Sequence, residues 1–599
     1  MFLHLPKKIA VGLMALSVTA MSLFIVSCQK ELSGEGFNVT ETPPDLTTKI
    51  AASVSGFVTD EADAPVQGAT VQFGTSTAST DKYGYFEFSN VQAIKNAAVV
   101  TVLKPGYFKG IKTYIAAENK SGFFRIKLLP KTTQGNFDAA AGGTVTLTNG
   151  LSIVFPAAAI KLAAGGAYSG QVNVAAQWIN PTAADLVKIM PGDLRGLDAQ
   201  GFMRTLTTYG MAAVELTGSA GELLQIADGK KASMTFPIPS SLSGAAPADL
   251  PLWSFDETKG LWKQEGQAIK SGSNYVGEVS HFSFWNCDVP SNFVQFNCTI
   301  RDSDGSPIPF ALVKVSVVGS QSSGYGYTDS SGYTGGAVPN NAQLLLEVFP
   351  YYGCGSPVFS QTFTTTNTTA SLGVLTIPSS SISSAQVSGT VTNCANAPVT
   401  NGYVIMYSNN QYFRHPLNNG AFDFAYMLCN GTEQVSFIAE DIAGGEQSTS
   451  LSYTLNTGNN PVGNLQACGV TTEQFINYTQ DGVVFTYTSP TDSFIMYSNT
   501  QSVPTSIYIF GTSMIAGGPN ATTVSLAFTE TGIAAGSTQQ LLSFGSDSLQ
   551  ISAPIDVNIT EYGAVGQFVA GNFTGTLLNP PPANTPTSVT CSFRVRRTR

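Results

Sequence analysis

Apolar and polar residues alternate along most of the chain, in short runs broken by turn residues. "GGTVTLTNGLSIVF", from Gly142, and "GQFVAGNFTGTL", from Gly566, put every second side chain on one face. That is the period of a half-buried β-strand. Almost no stretch keeps apolar residues at helical spacing. The breaks carry turn chemistry, as in Asp256-Glu257-Thr258-Lys259-Gly260 between Trp253 and Trp262, or Ala516-Gly517-Gly518-Pro519. Asp, Asn and Gly there favour hairpins. The pattern predicts an all-β chain of many short strands.

A repeat lies within that pattern. "VSGFVTDEADAPVQGATV" from Val54, "FNCTIRDSDGSPIPFALV" from Phe296 and "VSGTVTNCANAPVTNGYV" from Val387 begin alike. Gly56 to Pro65, Cys298 to Pro307 and Gly389 to Pro398 are each nine apart, and each proline stands six before a valine: Val71, Val313 and Val404. The reading is a strand, a turn with a proline that cannot donate to a ladder, and a second strand. A second turn follows in each, at Asp81–Phe86, Asp329–Tyr333 and Asn418–Phe422, where an aromatic re-enters the core. Units of 80 to 95 residues built this way predict β-sandwiches.

The first copy, through "VSGFVTD", "PVQGATV", "STDKYGYFEFSNV" and "LKPGYFKG", resembles the carboxypeptidase regulatory-like domain. The resemblance implies a transthyretin-like sandwich that carries no catalytic residues of its own. Residues 131–290, through "VKIMPGDLRGLDAQGFMRTLTTYG", "LPLWSFDETKGLWKQEG" and "EVSHFSFWNC", resemble the zonula-occludens/uncoordinated-type β-sandwich and its relative in cartilage intermediate layer protein. That family scaffolds or binds partners. The expected order is a leader at 1–27, a tether at 28–51, sandwiches at 52–130, 131–290, 291–383 and 384–469, and a C-terminal β-domain at 470–599. The fold class is tandem Ig-like or transthyretin-like sandwiches, arranged in a row as a rod.

The N-terminus sets the compartment. Lys7 and Lys8 precede an apolar run from Ile9 to Val26, and "IVSC" ends at Cys28. This resembles the bacterial lipobox, which implies removal of residues 1–27 and lipidation of Cys28. Acyl chains add about 0.8 kcal/mol of membrane affinity per buried methylene. The expected localisation is the outer membrane, lipid-anchored and facing the cell surface. Removing Lys7 and Lys8 takes the formal charge from −10 to −12. Charged residues are only 11% of the chain, against about 25% in average proteins. With no basic face, nucleic acid is excluded as a partner; the expected partners are the membrane and a glycan or envelope protein. The terminal Arg594, Arg596, Arg597 and Arg599 read as charges protecting an edge strand.

Seven cysteines remain after Cys28. None forms a Cys-x-x-Cys pair, so disulfides are expected over zinc. The candidates are Cys298 with Cys354, and Cys394 with Cys429 or Cys468, with at least one thiol left over. No cofactor is expected. His281 and His415 are the only histidines beyond the leader, and no Gly-x-Ser-x-Gly elbow or phosphate loop occurs.

Three stretches carry alternative chemistry. His281-Phe282-Ser283 is a tripeptide at which some relatives of the zonula-occludens/uncoordinated-type module cut themselves; Ser283 Oγ would attack the Phe282 carbonyl with His281 as base. The plainer reading is a packed strand with Phe282 and Phe284 on one face, capped by Trp285, with Cys287 close behind. Asp302 and Asp304 offer oxygens for calcium, but the twelfth position of an EF-hand count from Asp302 is Val313, and an Asp-Gly turn accounts for them. Tyr325, Tyr327 and Tyr333, in "SSGYGYTDSSGYTGG", could stack on a sugar ring or fill a core. The expected function is a non-enzymatic surface-binding lipoprotein. A polysaccharide-processing enzyme with unrecognised carboxylates and a plain envelope spacer are the alternatives.

Overall fold

The computed structural model describes residues 43–599 except 321, 352–353, 443–445, 472–473, 482, 490–491, 500–502, 514–521, 546–548, 564–567, 582–583 and 598–599. The leader, Cys28 and most of the expected tether therefore lie outside the described residues, as do Arg599 and the turn at Ala516–Pro519. Asp45–Arg599 form one compact unit. Its described residues are all-β, with helix limited to single turns such as Leu186–Ile189.

The three copies of the repeat fold alike. Their opening strands, Lys49–Thr59, Phe293–Asp302 and Ser383–Asn393, are each the middle of a three-stranded sheet. Each pairs antiparallel with the strand after the second turn, Tyr85–Ile94, Tyr333–Pro339 or Ala421–Leu428. Each also pairs parallel with the closing strand of its copy, Ser121–Lys127, Ala370–Ile377 or Gly458–Ala467. A second sheet, of four, four and six strands, covers the inward face. The sequence likeness fades after the second turn but the pairing does not, because alternate inward positions are enough to fix register.

Local chemistry explains the shared turns. Asp60 Oδ1 accepts the amides of Ala62 and Ala64, both at 2.9 Å. Asp302 does the same with Asp304 and Ser306, and Asn393 with Ala395 and Ala397. In the second turn Gly84 and Gly332 hold φ of 74° and 79°, and a Cβ there would stand 2.2 and 2.3 Å from the carbonyl oxygens of Val58 and Ile300.

Between the first and second copies, thirteen strands from Thr133 to Ser291 form one continuous ladder. Its long strand Met203–Gly218 serves several partners, among them Gln171–Ile179 and Phe284–Ser291. Trp253 and Trp262 flank the expected hairpin and are fully buried. Residues Phe475 to Arg596 form a nine-stranded sheet around its own core.

Modules in a row would touch only their neighbours, and these do not. Phe57, Tyr83 and Phe123 of the first copy share one buried cluster with Leu312 and Tyr327 of the next and with Tyr403 and Ile405 of the third. Arg125 is sealed among them, 5.1 Å from the Phe57 ring and 5.0 Å from Phe413, donating to the Tyr412 carbonyl. On its other side the first copy lends Phe108 and Ile111 to a cluster with Trp253, Phe255 and Phe284. Aromatics on outward faces drive this, since leaving them wet costs more than ordering the joint. The arrangement corrects the rod.

Two further expectations change. Cys394 pairs with Cys468, one of the two partners foreseen, but Cys354 pairs with Cys429 across two sandwiches. Cys298 is not its partner: it points inward from its strand and is buried as a free thiol, like Cys287 and Cys591. The arginine-bearing last strand, Pro586–Arg596, is an inner strand between Phe475–Gln480 and Phe568–Leu578 rather than an edge. Arg594 pairs with Glu561 at 2.8 Å and covers the Phe568 ring.

Candidate binding surfaces

The stretch around His281 is a bend. One strand ends at Val279 and the next begins at Phe284. The kink sends the two phenylalanines to opposite sides, correcting the shared face: Phe282 packs on Phe155 in the second sandwich's core, and Phe284 on Phe108 and Phe255 at the joint with the first copy. Trp285 turns inward and donates its indole N–H to the His281 carbonyl at 2.9 Å. Gln225 clamps the intervening residue from both sides, accepting the Phe282 amide and donating to its carbonyl, each at 2.8 Å. His281 Nε2 meets Glu265 Oε2 at 2.8 Å, and Ser283 Oγ donates to the Phe284 carbonyl at 3.3 Å. The tripeptide thus places its base on a carboxylate and its hydroxyl on the carbonyl beyond it. Burial pushes the Cys287 thiol well above its usual range, leaving a packed, protonated side chain.

Asp302 gives an oxygen to two backbone amides, and Asn393 builds the same turn with a neutral amide. A carboxylate is therefore not required by the turn. His415 lies flat on Phe424, centroids 3.4 Å apart, with Nε2 sealed from water and unpartnered; burial holds its pKa down to about 3. A ring that stays neutral to that pH is no proton carrier near neutrality.

The three tyrosines separate. Tyr327 is buried in the shared cluster, edge-on to Phe123. Tyr333 is half-buried, with Lys120 Nζ 5.2 Å from its ring centre. Tyr325 remains 43% exposed. All three border a cavity of about 220 Å³ that opens between the first three sandwiches.

A second aromatic surface lies on the C-terminal sheet. Strands Asp492–Asn499 and Ser506–Ser513 pair so that Ile495 stands opposite Phe510 and Tyr497 opposite Tyr508. The Tyr497 ring is 5.4 Å from Tyr508 and 6.0 Å from Phe510, each within 14° of parallel. Ile495 and Tyr497 are 52% and 37% exposed. Ser525, opposite Phe510 on the next strand, adds a hydroxyl at the border. Sequence reasoning missed this strip because "SIYIFGTS" is apolar at consecutive positions; only pairing reveals that Ile507 and Ile509 face the core.

No family model matches the chain. Cartilage intermediate layer protein 2 of Homo sapiens is 32% identical over 151 residues, covering 23% of this chain and 13% of that protein. Its Mus musculus counterpart is 30% identical over 158 residues, covering 25% and 13%. The chain thus spans only 13% of the length of these curated relatives, and the expected resemblance to cartilage intermediate layer protein is partial. Similar solved structures include the shaft pilin SpaA of Lactobacillus rhamnosus GG, 9% identical at a TM-score of 0.18, covering 30% of this chain and 99% of that one. The Bacillus anthracis TIE protein is 9% identical at a TM-score of 0.14, covering 72% and 69%.

Proposed function

We propose that the chain is a non-enzymatic cell-envelope lipoprotein, held through Cys28, that presents packed β-sandwiches for surface binding, with a glycan as ligand. The lipobox-like "IVSC" and the weakly charged composition support the envelope placement. The observation that carries the glycan reading is the strip of Tyr497, Tyr508 and Phe510, three nearly parallel rings on an outer face beside hydroxyl side chains. The apolar face of a pyranose stacks on such rings while its hydroxyls bond to polar neighbours. His415, held neutral by burial, takes no part in acid–base catalysis near neutral pH on this reading.

A glycan array followed by calorimetry tests the reading. Saturable binding without turnover is expected, and Tyr497→Ala should weaken it about fivefold, the equivalent of one lost ring contact of about 1 kcal/mol. Hydrolysis lost on mutating one acidic residue would favour the enzyme instead. Neither binding nor turnover would leave an envelope spacer.

A further inference from the structure

We propose that the cavity between the first three sandwiches binds an acyl chain with a carboxylate head, laid against the inward face of the sandwich spanning Phe293–Ile377. The argument rests on comparing the three copies position by position. In the first, Val54 and Gly56 pair with Phe88 and Phe86; in the last, Val387 and Gly389 pair with Phe424 and Phe422. The middle copy pairs the corresponding Phe296 and Cys298 with Gly336 and Thr334. One core ring has moved across to Phe296 on the opening strand, and the other is missing from that sheet.

The facing sheet adds Phe363, stacked on Phe296 at 5.6 Å, but its first hairpin supplies no bulk. In the last copy Val404 and Met406 pair with His415 and Phe413, and in the first Val71 and Phe73 pair with Ala78 and Ser76. In the middle copy Val313 and Val315 pair with Gly326 and Gly324. Strand pairing puts directly opposed residues on the same face, so these glycines lie on the valines' side, Gly326 facing Thr334 and Gly324 at the exposed rim. A Cβ added at Gly324 or Gly336 would meet nothing within 4 Å. The gap opens into the cavity of about 220 Å³, whose middle-copy wall is Phe296, Val313, Val315, Val317, Val338 and Leu344 and whose other walls, with Lys112, Asp193 and Thr207, come from the first two sandwiches. At about 220 Å³ it has room for several methylenes of a chain along its apolar wall.

The mouth selects the head group. Lys120 of the first copy reaches it, and its ammonium meets the Ser331 hydroxyl at 3.2 Å and the Tyr333 ring face. The nearby Asp329 carboxylate commits its oxygens to the amides of Ser121, Ser331 and Tyr333. Lys112, also at the border, is held by the carbonyls of Val187 and Met190. Lys120 is therefore the cation placed to receive a carboxylate while the chain enters between the glycine-bearing strands. This site is separate from the aromatic strip, so the two readings stand or fall independently.

The test uses the purified full-length chain and 11-(dansylamino)undecanoic acid, with dodecanoate and 1-dodecanol as competitors. Saturable, blue-shifted emission at one site per chain is expected. Gly336→Phe, which restores the ring of the other copies, should raise the melting temperature and weaken the probe at least about tenfold. Should that variant fail to fold, Gly324→Val decides, since its side chain enters open space. Lys120→Gln should weaken dodecanoate about fivefold and leave 1-dodecanol unchanged. No saturable signal, or undiminished binding in the filled variants, would overturn the site. Equal loss for acid and alcohol would overturn the carboxylate head.

Discussion

His415 fills a place that the other two copies give to Ala78 and Gly326, and it does so as an aromatic plate on Phe424. Its neutral ring has a consequence for acid stability. Folded, it protonates only near pH 3; unfolded, near 6.5. Between those values the unfolded chain binds the extra proton, so stability falls as pH drops from 6.5 toward 3, by up to about 1.4 kcal/mol per unit. Melting curves at pH 7, 5.5 and 4 should show that slope, and His415→Phe should flatten it. Lys112 gives the same sign at the alkaline side. Burial lowers it from 10.5 to about 7, so its contribution to stability grows as pH rises from 7 and is complete above 10.5. Lys112→Met should remove that rise. For the His281 stretch, a single uncleaved chain is expected by intact mass, identical in Ser283→Ala; fragments meeting between Phe282 and Ser283 would show that the clamp by Gln225 does not prevent attack.

The turns are the elements most open to sequence reading, because each is set by one or two residues. Asp81-Lys82-Tyr83-Gly84 and Asp329-Ser330-Ser331-Gly332 place glycine where φ is positive and a carbonyl oxygen is close. Gly84→Ala or Gly332→Ala should cost at least ~1 kcal/mol from the backbone alone, with more from the clash. A fall of several degrees in the first unfolding transition would be the readout; an unchanged curve would mean the turn relaxes freely. At the first turn Asp302→Asn should be silent, as Asn393 already demonstrates the geometry, whereas Asp302→Ala should lose about 1 kcal/mol from two unmade amide bonds. Calcium should leave the melting temperature of both unchanged. Strand faces were legible wherever polar residues alternate, and illegible in "SIYIFGTS" and across the Val279–Phe284 bend.

At the scale of the molecule, the joints between sandwiches hold the charges that cannot be left alone. Lys82 of the first copy is buried against Glu440 of the last and also donates to Gln447. Removing one partner of a buried pair strands the other, typically at 3–5 kcal/mol. Glu440→Gln should therefore separate the first sandwich from the last before either unfolds. Hydrogen exchange would show this as faster exchange in Tyr83 and Tyr403 with the strand cores still protected. Arg125→Met should be milder, since methionine keeps contact with the rings of Phe57, Phe123 and Phe413.

The sequence by itself determined the all-β class, the threefold repeat and its turns, since alternation, proline and glycine act over a few residues. Which cysteines meet was decided only in three dimensions. Cys354 and Cys429 are 75 residues apart yet adjacent, whereas Cys298 faces its own core. Packing also turned a row of modules into a joined block, because the outward aromatics Phe57, Phe123, Tyr327 and Tyr403 find one another across copies. The cavity beside the middle copy belongs to both levels. Its glycines stand plainly in "SSGYGYTDSSGYTGG", but an absent side chain has meaning only once the opposite strand is known.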